Sequence, residues 1–380
     1  MAENSGNDKK TVWVLGSGFS RALGGPLLKQ LLSESALLEL QLAHPSLDGR
    51  REFKEVQETY AYGLRSGFWE DAETFLDRLD VAGRESNSGP GRQMRIAYNN
   101  VARSVLPPDG PDVTRKFASL SGEARRFVAL QCARFTDSYD EGLESWQAYR
   151  FWFKKIWHLG PIHRIVSFNY DWVLERLDAE IPTPSQAASQ DWEYYQDLPG
   201  ATVRCLKLHG SVGWKKTGVD SYEPAPENWN LYDCDSSEIA IAAPGPTKHE
   251  SVKGPLRFLW AAAREAIEQA DSIVFIGYRF PPTDAEARSR LLDAIGRNKA
   301  KELSLNIVLG PSLGSDDNVR LKALLRYTVI NRGRIEMGNL SQNMVLDALE
   351  NDRARFSIIE HPLLAEDFLT VWEPRLTGSV

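Results

Sequence analysis

The hydrophobic pattern divides the chain into two strand-rich stretches separated by a long helical one. After a polar start, Met1–Lys10, the run Thr11-Val12-Trp13-Val14-Leu15 ends abruptly at Gly16-Ser17-Gly18. A short apolar run rich in β-branched residues and closed by glycine predicts a buried strand delivering a loop. A helix is expected to begin near Ser20 or Pro26 and to continue through Leu27–Leu32. From about His44 to His158 strand signals vanish and apolar residues recur at helical spacing, as in Phe68–Leu79 and the aromatic stretch Trp146–Trp157. Breaks are expected at Glu85–Gly91 and Pro107–Pro111, which are rich in glycine, proline and serine. Strand-like runs resume at Ile162–Phe168, Val203–Leu208, Ile239–Ala243, Ser272–Ile276 and Leu303–Leu309, with helical patterns at Pro255–Ala270 and Asp284–Ile295.

Strands alternating with helices predict an α/β fold: a Rossmann-like, doubly wound and mostly parallel sheet carrying a large helical insertion. The expected organisation is a flexible tail at 1–10, a nucleotide-binding domain formed by 11–44 and 159–380, and the insertion at 45–158. Pro182–Pro199 carries no strand pattern and reads as a loop or lid. Beyond Gly333 the pattern is uninformative.

Four of the strand-like runs break into small or polar residues. These breaks are Gly16-Ser17-Gly18-Phe19-Ser20, Asn169-Tyr170-Asp171, His209-Gly210-Ser211 and Gly277-Tyr278-Arg279-Phe280-Pro281. Open α/β sheets bind ligands where such loops leave the carboxyl ends of the strands. Glycines after the first strand suit close approach to a phosphate, with a following helix N-terminus favouring the charge, although Arg21 stands where a third glycine is usual. Asn169 either caps a helix at Tyr170–Leu177 or hydrogen-bonds a ribose hydroxyl or a water. Asp171 either supports that loop or places a favourable charge in the helix's first turn. His209, expected at an exposed strand end, titrates near neutral pH and suits proton transfer. Trp214 is either a pocket wall or core. Thr283 or Asp284 is the expected N-cap of the next helix. Gly310-Pro311-Ser312 repeats the strand-to-glycine arrangement more faintly.

Composition narrows the class. With 380 residues and 42% hydrophobic content, the chain can bury a large core. A formal net charge of −7 argues against a protein that coats nucleic acid. Cys132, Cys205 and Cys234 lie far apart without a C-x-x-C pair, which fits a reducing compartment and excludes a four-cysteine zinc ribbon. The first ten residues lack the apolar core of a signal peptide, and no apolar run approaches the roughly 20 residues that span a bilayer. A cytoplasmic protein is expected.

In their order along the chain, the glycine loop, the S-F-N-Y-D segment at Ser167–Asp171, the L-H-G-S segment at Leu208–Ser211 and the I-G-Y-x-F-P-P-T-D segment at Ile276–Asp284 resemble the sirtuin-like family. The closer resemblance is to its divergent bacterial branch in anti-phage defence, and it covers about residues 10–44 and 160–312. The resemblance implies NAD binding across the sheet edge and cleavage of the nicotinamide–ribose bond. Asn169 and His209 take the positions of the family's catalytic pair. Gly16, Ser17, Gly18 and Ser20 match the family's phosphate loop, and Gly277 and Tyr278 its second nucleotide-contacting loop; Phe19, Asp171 and Ser312 are further expected nucleotide contacts. The zinc module of protein-deacetylating sirtuins needs two C-x-x-C pairs and has no counterpart here, so no metal is expected.

The function expected from the resemblance is NAD hydrolysis that depletes the cell's cofactor. The alternatives are an NAD-dependent protein deacylase and a non-catalytic scaffold that senses NAD or ADP-ribose. Such a hydrolase needs control, and little chain follows the sheet for a sensor domain. The expectation is therefore a homo-oligomer regulated by a separately encoded partner, foremost a HerA-type hexameric ATPase, then a nucleic-acid-guided nuclease. The aromatic stretch Trp146–Trp157 is either core or an oligomer surface.

Overall fold

A computed structural model of the chain describes residues 9–27, 30–45, 50–102, 105–108, 110–137, 144–180, 204–218, 221–226, 229–242, 254–281, 284–330 and 355–373. Six parallel strands form the main sheet: β1 (Thr11–Leu15), β2 (His163–Ser167), β3 (Arg204–Lys207), β7 (Ser272–Ile276), β8 (Glu302–Val308) and β9 (Arg355–His361). Their order is β3-β2-β1-β7-β8-β9. The chain thus walks outward on one side of β1 and then returns to walk outward on the other, which puts the reversal of strand order between β1 and β7. Leu15 is in register with Ser167 on one side and Ile276 on the other. The loops after these strands therefore start at one level. Every residue of β1 is buried, as a central strand covered on both faces requires.

The Rossmann-like α/β architecture agrees with the pattern, and β1 and β7 match the expected runs end to end. Other expectations are corrected. Ile239–Ile241 (β6) is not in the parallel sheet: it pairs antiparallel with β4 (Gly210–Lys216), which also pairs with β5 (Tyr222–Pro224). The diversion occurs at Gly210, whose φ of +83° and closeness to the Ala240 carbonyl (2.0 Å from a built Cβ) leave room only for glycine. No helix runs through Leu27 and Leu31–Leu32. Instead α1 (Ser17–Ser20) and a 3₁₀ turn at Arg21–Leu23 stop at Gly24, with φ at +96°, and α2 spans Glu34–Ala43. The parallel strand β9 and the helix Ala365–Val371 occupy C-terminal sequence that carried no clear pattern. Pro182–Pro199 and Thr283 lie outside the described residues. So do residues 1–8, whereas Lys10 is tied to the sheet: its N–H donates to Asp271 Oδ2 (2.9 Å) and its carbonyl accepts from Ser272 (3.0 Å).

Between β1 and β2 lie α2, α3 (Arg51–Arg65), α4 (Ala72–Arg84), α5 (Gly89–Val101), α6 (Pro111–Asp137) and α7 (Glu144–Leu159). Two apolar cores organise them. One surrounds the main sheet and includes Trp146, Tyr149, Trp152 and Phe153 of α7. These rings are buried core residues, although Phe151 on the opposite face is exposed. The other core joins α2–α6 to Val212, Ile239 and Ile241 of the small sheet. In packing terms α7 goes with the sheet, whereas the small sheet is shared: Val212, Ile239 and Ile241 pack with the helices, and Trp214, Tyr222 and Ala240 with the main-sheet core. Trp214 falls in the main-sheet core, which decides between its two readings. No helix among the described residues is long and apolar enough to cross a membrane.

Candidate functional site

At the β1/β7 switch the two glycine loops interlock. Gly16 N–H donates to the Ile276 carbonyl (3.0 Å), and Gly18 N–H to that of Gly277 (3.3 Å). Gly277 sits at φ +66°, and a Cβ there would lie 2.4 Å from Gly18 Cα. These glycines are required by loop-on-loop packing, a structural reason that the phosphate reading did not supply. Phe19 N–H is also engaged, donating to Gly16 O (2.8 Å).

The loop after β2 is locked onto the first glycine loop. Asn169 Nδ2 donates to Gly16 O (3.0 Å) and Ser20 Oγ (3.0 Å), and Ser20 Oγ donates to Asp171 Oδ2 (2.7 Å). Asp171 Oδ1 accepts from Val173 N–H (3.2 Å), at the start of α8 (Val173–Ala179). Asn169 is therefore not the helix cap. Asp171 both braces the loop and receives a first-turn amide. Burial pushes the Asp171 carboxyl up, against the pull of Lys207, Ser20 and Val173. With both Asn169 amide protons used, its carbonyl oxygen is the atom left to meet a ligand, and it can only accept.

His209 follows β3 and immediately precedes Gly210, at the point where the chain leaves one sheet for the other. It is not exposed as expected: its side chain is 5% accessible. Phe168 meets its ring edge-on (centroids 4.9 Å) and Tyr278 stacks on Phe168 (4.1 Å, 10°). His209 Nε2 lies 3.3 Å from Asp284 Oδ2, but off-axis, so the nitrogen lacks an aligned hydrogen bond. The Tyr278 hydroxyl also donates to Asp284 Oδ2 (3.4 Å). Burial, then Asp284, pushes that phenol well above its ordinary value.

Beneath the site, Lys207 ties the two loops together. Its buried Nζ donates to the Asp171 carbonyl, to Glu175 Oε1 (2.7 Å) and to Ser211 Oγ (3.0 Å). Ser211 Oγ in turn donates to Glu175 Oε1 (3.0 Å). A fixed frame therefore carries Asn169 and His209 together.

A cavity of about 610 Å³ opens over these loops. Gly16, Ser17, Gly18, Ser20, Asn169, Asp171, His209, Gly277 and Tyr278 all line it. Phe19 does not: it turns into the core against Tyr149 and Trp152 (centroids 5.0 and 5.5 Å), and its carbonyl accepts from Tyr149 Oη. Nor does Ser312, an exposed residue whose carbonyl accepts from Asn318 Nδ2 (2.7 Å), although nearby Gly310 lines the rim. The cavity also takes Asp71, Glu73 and Leu76 from the start of α4, and Val128 and Cys132 from α6. No local pattern marks these as site residues, because only the packing of the helical layer brings them there. Asp284 was legible as the P-P-T-D acid, but its side chain makes no capping bond to the helix Ala285–Gly296 and faces His209 instead. Arg320, also lining the cavity, is held by the carbonyls of Phe280 and Arg279 and by Asp317. Arg21 lines it too and has no charged partner among the described residues.

This arrangement offers an acceptor, an imidazole, a carboxylate against that imidazole and a cation within one enclosure large enough for a nucleotide-sized ligand. Neither a family model nor a curated protein matches the chain.

Proposed function

We propose that this cavity is the site of a sirtuin-like NAD glycohydrolase, which cleaves the nicotinamide–ribose bond to release nicotinamide and ADP-ribose. The observation that carries the reading is the convergence of Asn169 and His209, 40 residues apart in sequence, on one cavity lined by two interlocked glycine loops. NAD enters as substrate, and no zinc module is assigned. Its diphosphate lies by the loop Gly16–Ser20 with Arg21 beside it, where a guanidinium suits anionic oxygen. The Asn169 carbonyl oxygen accepts from the attacking water or a ribose hydroxyl, and His209 removes the proton as nicotinamide departs. Positioned general-base catalysis of this kind contributes about 10²- to 10⁴-fold in rate. Enclosure adds to the effect by fixing the groups before reaction.

In this reading the protein acts in the cytoplasm, in anti-phage defence, as a homo-oligomer. A separately encoded partner governs it, foremost a HerA-type ATPase. The test is chromatography of NAD incubated with the purified chain, alone and with that partner. Nicotinamide and ADP-ribose should accumulate, and His209→Ala and Asn169→Ala should each lose about 10²-fold or more. Intact NAD under both conditions, or full turnover by His209→Ala, overturns the reading.

A further inference from the structure

We propose that Asp284 is the positioning residue for His209, holding the ring by Nε2 and fixing its proton there so that Nδ1 is the basic atom. The inference rests on the NAD reading only for what His209 acts upon.

Both partners are buried, with side-chain accessibilities of 5% for His209 and 3% for Asp284. A buried carboxylate is retained where a partner repays its desolvation. Asp284 occupies the N-cap position of a helix yet gives it no side-chain capping bond, although an Asp there normally would. Its Oδ2 takes the Tyr278 hydroxyl (3.4 Å) and stands 3.3 Å from His209 Nε2. Among the described residues no other carboxylate reaches ion-pair distance of the ring. The remaining groups around it are aromatic or phenolic: Phe168 edge-on, Tyr170 (6.1 Å between centroids) and Trp260 (6.5 Å). From the helical layer Glu73 lines the same cavity, and after burial, the largest cause, it joins Asp284 in raising the phenols of Tyr170 and Tyr278.

An imidazole presents one donor and one acceptor when neutral. A carboxylate facing Nε2 selects the tautomer protonated at Nε2, as second-side partners of functional histidines commonly do. The present contact is within reach but not aligned, and such bonds often tighten when substrate binds. In the reaction, a hydroxyl or water proton moves to Nδ1. The imidazolium formed keeps its Nε2 proton against Asp284, which stays ionised.

The experiment uses the whole chain with ¹⁵N-labelled histidine. Imidazole resonances are recorded for the native protein and for Asp284→Asn and Asp284→Glu, with His209 assigned by its loss in His209→Gln. Expected is a native His209 protonated at Nε2, with that proton shifted downfield and protected from exchange. The signal should be lost or moved to Nδ1 in Asp284→Asn and largely kept in Asp284→Glu. Turnover of NAD should fall about 10²-fold in Asp284→Asn with little change in KM, and recover in part in Asp284→Glu. A native proton on Nδ1, or an unchanged spectrum in a folded Asp284→Asn, overturns the assignment. Should the native chain leave NAD intact while the resonances behave as expected, Asp284 keeps its role and the choice of substrate falls.

Discussion

Two histidines at strand ends of one sheet show how far the environment decides what a residue does. His163 opens β2, and its Nδ1 accepts from Trp13 Nε1 (3.1 Å). Burial, aided by Arg164, lowers its pKa from the ordinary 6.5 to about 4. The unfolded chain therefore binds a proton that the folded one refuses between about pH 6.5 and 4, so stability rises with pH across that window. The contribution is fully present above 6.5 and is lost as the solution is acidified. From pH 7 to pH 5 this group alone should withdraw about 2 kcal/mol. In urea unfolding, His163→Gln, whose amide oxygen can accept from Trp13, should lose less stability than the native chain over that interval. Equal losses would remove His163 as an acid-sensitive post. His209 carries the same side chain but faces a carboxylate and a cavity. Sequence separated the two by their C-terminal neighbours: Gly210 and a polar break after His209, a continuing strand after His163. Sequence did not show that His209 is buried, because burial there depends on Phe168 from the loop after β2, on which Tyr278 stacks from the loop after β7.

Elements were most legible where the pattern was unmixed. The runs Thr11–Leu15 and Ser272–Ile276 are wholly apolar apart from their first residues, and both form strands over those spans. Ile239–Ile241 has the same composition, yet it joins the antiparallel sheet, since a short apolar run does not encode its pairing partner. Leu31 and Leu32 suggested a helical face but are buried in turns against the helical layer, where Gly24 has already stopped the preceding turn. Between elements, the mixed run Val203–Leu208 hid the most consequential residue. Lys207 is 1% accessible and links the end of β3 to the start of α8 through Glu175 and the Asp171 carbonyl. A lysine in a strand pattern reads as solvent-facing, whereas here it joins the loops that carry Asn169 and His209. Lys207→Met should cost about 3–5 kcal/mol by leaving Glu175 buried without its cation. The double variant Lys207→Met with Glu175→Leu should recover much of that loss, because an apolar pair of similar volume is often no worse than a buried ion pair. Chemical denaturation of the three proteins decides it. A single variant as stable as the native chain would mean that the lysine carries little of the frame.

Across the whole molecule, the cavity lies where the two apolar cores meet. The sheet core supplies Gly16, Asn169 and Tyr278 through its loops, and the helical layer supplies Glu73, Leu76 and Val128 as the facing wall. A ligand in that space touches both bodies, so binding should couple them more tightly than either loop set alone. For the NAD reading the consequence is measurable with His209→Ala, which should bind NAD without consuming it. At a hundredfold excess over its Kd a ligand adds about 2.7 kcal/mol to stability, which should appear as a rise of a few degrees in Tm. Hydrogen exchange should then slow both in the glycine loop at Gly16–Ser20 and in the first two turns of α4, which hold Glu73 and Leu76. Protection restricted to the sheet loops would show that the helical layer covers the site without touching what binds there. Protection of α4 as well would make the helices inserted between β1 and β2 part of the binding site.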